Sequence, residues 1–149
     1  MQQNGEGMTS NVIADLDKLL SGLSLSPDFR VELTREDALT RLSVSPPSRL
    51  YCGFTLEAAN NDAAFGLYCD PDMSFDELDP LTFAPADIVT AIAHGRVRAR
   101  EYRFAGLKAQ TTGVISLADG KQLTHTRFYF PAPQWLCSEQ VIEYRPYPT

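Results

Sequence analysis

From residue 96 onward the chain reads as strands, and this constrains the fold more than any other feature. RVRAREYRF (96–104), TGVISL (112–117), KQLTHTRFYF (121–130) and EQVIEYR (139–145) form a succession of segments rich in β-branched and aromatic residues. In RVRAREYRF and LTHTRFYF alternate residues fall on opposite faces, the period expected of a half-buried strand. Asp119-Gly120 between the second and third segments signals a hairpin, because this pair readily supplies the positive φ angles of a two-residue turn. Pro131 and Pro133 end the third strand. A β-meander of this kind needs other elements to cover one of its faces.

The earlier part of the chain supplies them. Val12, Ile13, Leu16, Leu19, Leu20 and Leu23 recur at helical spacing behind Ser10, which reads as an N-cap, so a helix is expected over 11–22. FRVEL (29–33) alternates like a strand, and TRED (34–37) has the Thr-x-x-acid form of a capping box, which predicts a short helix to about Leu42. SRLYCGFTLE (48–57) and AAFGLYC read as a hairpin around the turn-like ANND, with Leu50, Cys52, Phe54 and Leu56 on the face shared by Phe65, Leu67 and Cys69. A four-residue loop at 59–62 sets Cys52 opposite Cys69; the alternative register two residues away sets Leu67 there. Pro85 opens a further helix through PADIVTAIAH that Gly95 terminates, with His94 in its last turn, where the helix dipole stabilises a cation. The expected fold class is therefore α+β: a curved antiparallel β-sheet of about six to seven strands packed against two or three helices. Residues 1–9 are expected to be a disordered extension, and 10–149 a single domain.

The charge is divided unevenly. The net charge of the chain is −6, yet residues 1–95 hold 15 acids and 5 bases whereas 96–149 hold 4 acids and 8 bases. The base-rich part includes Arg96, Arg98, Arg100 and Arg103 within eight positions. On a strand, Arg96, Arg98 and Arg100 point one way and Val97 and Ala99 the other. The pattern then breaks: Tyr102 and Phe104 share the parity of the arginines while Glu101 shares that of Val97, which predicts a bulge near 100–102. A neighbouring strand is expected to add His125 and Arg127 to the positive face. The acidic counterpart is DPDMSFDELDPLTFAPAD (70–87), with six acids and no base, expected as a solvated loop or one that pairs with the arginines. Its Asp70-x-Asp72-x-Ser74-x-Asp76 spacing imitates a calcium loop. The imitation fails at Phe75, where a sharp turn needs glycine, and at Leu81, where a bidentate glutamate is needed.

Chemistry-bearing motifs are sparse. The sequence contains no nucleophile elbow, phosphate-binding loop, dinucleotide fingerprint or His-Glu-x-x-His pair. Cys52, Cys69 and Cys137 include no Cys-x-x-Cys chelate and are too few for a disulfide framework, which suggests core thiols in a reducing compartment. No cofactor or metal is implied. With no run of about 18 apolar residues and no secretory leader pattern, no membrane span is expected and the cytoplasm is the expected location. Trp135, the only tryptophan, follows two prolines in PAPQWLC; packing over the sheet end is the expected role, and exposure would instead mark a binding hot spot.

These features favour a non-enzymatic cytoplasmic binding protein, an adaptor, chaperone or inhibitor, over an enzyme. The expected partner-binding residues are Arg96, Arg98, Arg100 and Arg127 on the basic side and Asp70, Asp72, Asp76, Glu77 and Asp79 on the acidic side. Oppositely charged patches also fit a homodimer. Nucleic acid ranks last as a partner, because the summed field repels phosphate. The alternative is a small-molecule-binding protein or enzyme with a pocket between sheet and helices. His125, Arg127 and Tyr129 would line it, and His125 would work as acid and base with Glu101 or Glu143.

Overall fold

The computed structural model describes residues 8–60, 63–69 and 73–148. Helix α1 (Met8–Gly22) leads into a five-stranded antiparallel meander, β1 (Arg30–Arg35), β2 (Leu39–Ser45), β3 (Phe54–Ala59), β4 (Phe65–Cys69) and β5 (Met73–Leu78). Helix α2 (Pro85–Ala93) connects it to a four-stranded antiparallel sheet of β6 (Val97–Phe104), β7 (Leu107–Ser116), β8 (Gln122–Phe128) and β9 (Ser138–Glu143), in spatial order β8-β7-β6-β9. The sheet-rich α+β class is as expected. The described residues form nine strands in two sheets with two helices, rather than one sheet of six or seven strands.

Part of the difference comes from residues 34–45, which form a hairpin where a helix was expected. Thr40, Leu42 and Val44 recur with a period of two and are buried, an alternation that a helix would scatter around its circumference. Glu36 and Leu39 exchange backbone hydrogen bonds around Asp37-Ala38. From the next turn, Asn60 Nδ2 donates to the carbonyls of Glu36 at 3.1 Å and Asp37 at 2.6 Å, satisfying acceptors that the tight turn exposes. At the N-terminal end, α1 already includes Met8 and Ser10, so Ser10 lies inside the helix rather than capping it. Residues 1–7 of the expected extension lie outside the described residues.

The acidic stretch also contains a strand. Met73, Phe75 and Leu78 of β5 are buried against the core, and the change in spacing between Phe75 and Leu78 is a bulge in the pairing with β4 that holds Glu77 at φ 54°. In the β3–β4 hairpin, Phe54 lies opposite Cys69 and Leu56 opposite Leu67. The shared apolar face is as expected, but the pairing is displaced two residues from the expected register, away from the alternative considered. Cys52 precedes β3, and Leu50 turns outward. The Asp119-Gly120 hairpin is looser than a two-residue turn: Leu117 and Lys121 bracket three residues, and Gly120 alone takes a positive φ, 92°.

α1 lays Ile13, Leu16 and Leu20 on β1–β3, and α2 buries Ile88, Val89 and Ile92 between α1 and β7. Each of these three α2 side chains contributes about 2 kcal/mol by leaving water. The two sheets join where Met73 of β5 packs on Gly113 of β7; a Cβ at Gly113 would lie 2.0 Å from the Met73 sulfur. Residues 144–147 then fasten the second sheet to the remainder. The Tyr147 amide donates to the Ala93 carbonyl at 2.7 Å, its hydroxyl donates to the Cys52 carbonyl, and its ring meets Phe29 and Tyr51. Gly95 at φ 74° ends α2 directly beneath this strap, where a Cβ would meet the Pro146 nitrogen at 2.7 Å.

Candidate functional site

The second sheet has one face packed and one open. Val97, Ala99 and Glu101 of β6 turn toward the core, while Arg98 and Arg100 stand in solvent. Pairing places Val114 and Thr112 of β7 beside those two arginines on one side, and Glu143 and Val141 of β9 on the other. Arg98 Nη2 lies 2.9 Å from Glu143 Oε1, and Arg100 Nε lies 3.5 Å from Glu139 Oε1. Arg96 has no ion pair among the described residues. These side chains border a shallow groove of about 600 Å³ whose floor includes Thr112, Val114 and Ser116.

The next row of the same face is aromatic. Tyr102 pairs with Gln110, and Gln110 with Phe128. The β8–β9 connection crosses here: Gln134 of a 3₁₀ turn, Gln134–Leu136, donates to Gln110 at 3.4 Å. A second groove of about 410 Å³ lies beneath it, between Tyr102, Phe128, Phe130 and Pro131. Phe128 at this groove is 72% exposed, and in the connection Trp135 is 82% exposed and Leu136 is also exposed. Trp135 therefore does not pack over the sheet end as expected, even though the adjacent Gln134 is tied to β7. Its lone position after two prolines was the available sequence signal.

The residues expected to act together separate into three places. β8 pairs Gly113 with His125 and Thr111 with Arg127, which sets both side chains on the face opposite the arginine row. The predicted addition of His125 and Arg127 to the positive face is thus overturned, because the β7–β8 register carries the odd positions of β8 inward. His125 packs edge-on against Phe75 with ring centroids 5.9 Å apart, and the Arg127 guanidinium lies over Tyr129 at 5.0 Å. Glu143 is on the far face from His125, and the Glu101 carboxylate is engaged by Arg103 at 3.2 Å and Lys108 at 3.7 Å. The register irregularity expected at 100–102 falls between Tyr102 and Arg103.

On the acidic side, Asp70 and Asp72 lie outside the described residues. Asp76 accepts from the Tyr68 hydroxyl at 3.5 Å, and burial, Asp76 and Glu57 together raise the Tyr68 pKa above its ordinary value. Asp79 caps a turn, accepting from the Leu81 amide and the Thr82 hydroxyl. Among the described residues no acid of this stretch pairs with Arg96, Arg98 or Arg100; β9 provides the partners of Arg98 and Arg100 instead. The described residues bring no three His, Cys, Asp or Glu side chains together in a metal-binding group. No helix among them is long and apolar enough to cross a membrane.

No protein-family model matches this chain, and comparisons with curated proteins and with solved structures likewise return no match.

Proposed function

We propose that this chain is a non-enzymatic binding protein of the adaptor, chaperone or inhibitor type, and that it takes a partner protein with an acidic, partly apolar surface on the open face of β6–β9. The supporting observation is the continuity of the arginine row with the exposed aromatic cluster. From Arg96 to Tyr102 the strip runs about 20 Å, and four strands make it about 14 Å wide. Tyrosine, tryptophan and arginine are the residues from which interface hot spots are most often built. The ion pairs from Arg98 and Arg100 to Glu143 and Glu139 are solvent-exposed and each worth under about 1 kcal/mol, so a partner carboxylate exchanges for them at little cost.

Affinity capture from a native lysate at low and moderate salt tests this reading, using wild type, Arg98→Glu/Arg100→Glu and Trp135→Ala. The expected result is one stoichiometric protein, released as salt rises and lost with either variant while circular dichroism and unfolding midpoints hold. Capture that survives both variants overturns the reading, and a captured second copy of the chain assigns the same face to self-association.

A further inference from the structure

Beside the arginine row, the open face of the second sheet forms a shelf of short side chains, most of them hydroxyls. Thr112, Val114 and Ser116 of β7 make its inner part, and Thr124 and Thr126 of β8 its outer part. Rungs cross it in register: Arg98 with Val114 and Thr124, Arg100 with Thr112 and Thr126, and at the aromatic end Tyr102 with Gln110 and Phe128. At the other end Ser116 pairs with Gln122 and donates its amide to the Arg96 carbonyl at 3.0 Å. Granted the binding role of the open face, on which this step rests, we infer that the shelf takes an extended, strand-like segment of the partner protein, with a carboxylate over Arg96 and an aromatic side chain in the groove beside Tyr102 and Phe128.

Charge fixes one end. Arg98 and Arg100 engage Glu143 and Glu139 on the β9 side, so over the shelf they offer chiefly their apolar stems. Arg96 is exposed and has no ion pair among the described residues, so a partner carboxylate is worth most there. Shape fixes the other end. The groove of about 410 Å³ runs between Tyr102, Phe128 and Phe130 and is bordered by Pro131 and Gln134, a setting that suits an aromatic ring. Between the ends, period selects the conformation. Same-face residues of an extended chain recur about every 6.7 Å, as the rungs do, and three such steps cover the roughly 20 Å from Arg96 to Tyr102. Helical turns advance about 5.4 Å each and fall about 4 Å out of step over that distance. The hydroxyls favour the same answer, because a helix engages its own N–H and C=O groups whereas an extended segment leaves them open. Thr112 and Thr126 share one hydrogen bond at 3.2 Å, which leaves these hydroxyls acceptor capacity for a backbone N–H.

Lysate capture tests the face, and short peptides test the segment. The probes are synthetic peptide amides with a glutamate and a phenylalanine six positions apart, as Arg96 and Tyr102 are, joined by serine and threonine and made in both chain directions. They are titrated into the isotope-labelled protein, with amide chemical shifts as the readout. One direction should bind saturably and perturb residues 96–102 and 110–116 together. Replacing the peptide glutamate by glutamine should weaken binding about threefold, Arg96→Gln should do the same, and the two changes together should cost no more than either alone. Replacing the phenylalanine by alanine should cost about tenfold. A control peptide with its two anchors adjacent should bind no better than one that has lost an anchor. Suppose that a partner is captured and lost with Arg98→Glu/Arg100→Glu, yet neither peptide binds, or the control binds equally well, or the shifts centre elsewhere. The extended segment is then overturned, while the binding face stands and meets a folded surface. Failure of both capture and peptide binding overturns the face and the segment together.

Discussion

Thr111 shows how closely the polar groups inside the second sheet are balanced. It sits between Glu101 and Arg127 in register, is 2% exposed, and its hydroxyl has no hydrogen-bond partner among the described residues. A buried hydroxyl without a partner costs about 1–3 kcal/mol in desolvation. Thr111→Val, nearly isosteric, is therefore expected to leave stability unchanged or raise it by about 1 kcal/mol. Urea unfolding with an unaltered slope measures this, and a lower midpoint would mean that the hydroxyl is satisfied. At this scale the sequence was legible wherever period alone decides orientation. The outward Arg96, Arg98 and Arg100 and the inward Val97 and Ala99 are examples. It was illegible for His125 and Arg127, whose face depends on which residue of β7 stands opposite, and pairing is not encoded in a strand's own alternation.

Among elements, the four strands after residue 96 and both helices were readable because long periodic segments leave few alternatives, but the expected meander was not what they form: β9 crosses to pair with β6 instead of lying beside β8. The second strand was not readable. TRED matches a helix start locally, and the hairpin prevails because Leu42 and Val44 then reach the core under α1 while Asn60 secures the turn. The acidic stretch was similarly misread: its charges disguised Met73, Phe75 and Leu78, the inward side of β5. The β4–β5 pair also carries a pH dependence. Burial and the nearby carboxylates of Asp76 and Glu57 raise the Tyr68 pKa, so folding favours the neutral phenol. That contribution is complete below the unfolded tyrosine's range near pH 10 and is lost as pH rises through the folded value. Wild type is expected to lose stability more steeply than Tyr68→Phe above about pH 10, measured as unfolding midpoints across that range. Parallel slopes would remove Tyr68 from the account.

In the whole molecule, one place where the sheets meet is Met73 against Gly113. Gly113→Ala would force Cβ into the Met73 side chain, and overpacking of this kind costs about 1–3 kcal/mol. Met73→Ala in the same background should recover part of the loss, and a double-mutant cycle reports the coupling. Strict additivity would show that the two sheets are not joined there. None of this contact was readable in advance, since Met73 and Gly113 are distant in sequence. The candidate site was partly readable: its charge came from the alternation of β6, but its aromatic end emerged only when the proline-bearing connection proved to hold Trp135 outward.

The order β8-β7-β6-β9 also matters while the chain is being made. β6 leaves the ribosome roughly 40 residues ahead of β9, the strand that will occupy its free edge. At about 5–20 residues per second, that edge waits about 2–8 s without its partner. An unpaired edge is a template for joining other chains, and charged side chains along it discourage such pairing. Arg96, Arg98, Arg100 and Arg103 flank this edge throughout the wait. Positive charge along that strand is therefore expected to disfavour edge pairing between nascent copies until Glu139 and Glu143 arrive beside it.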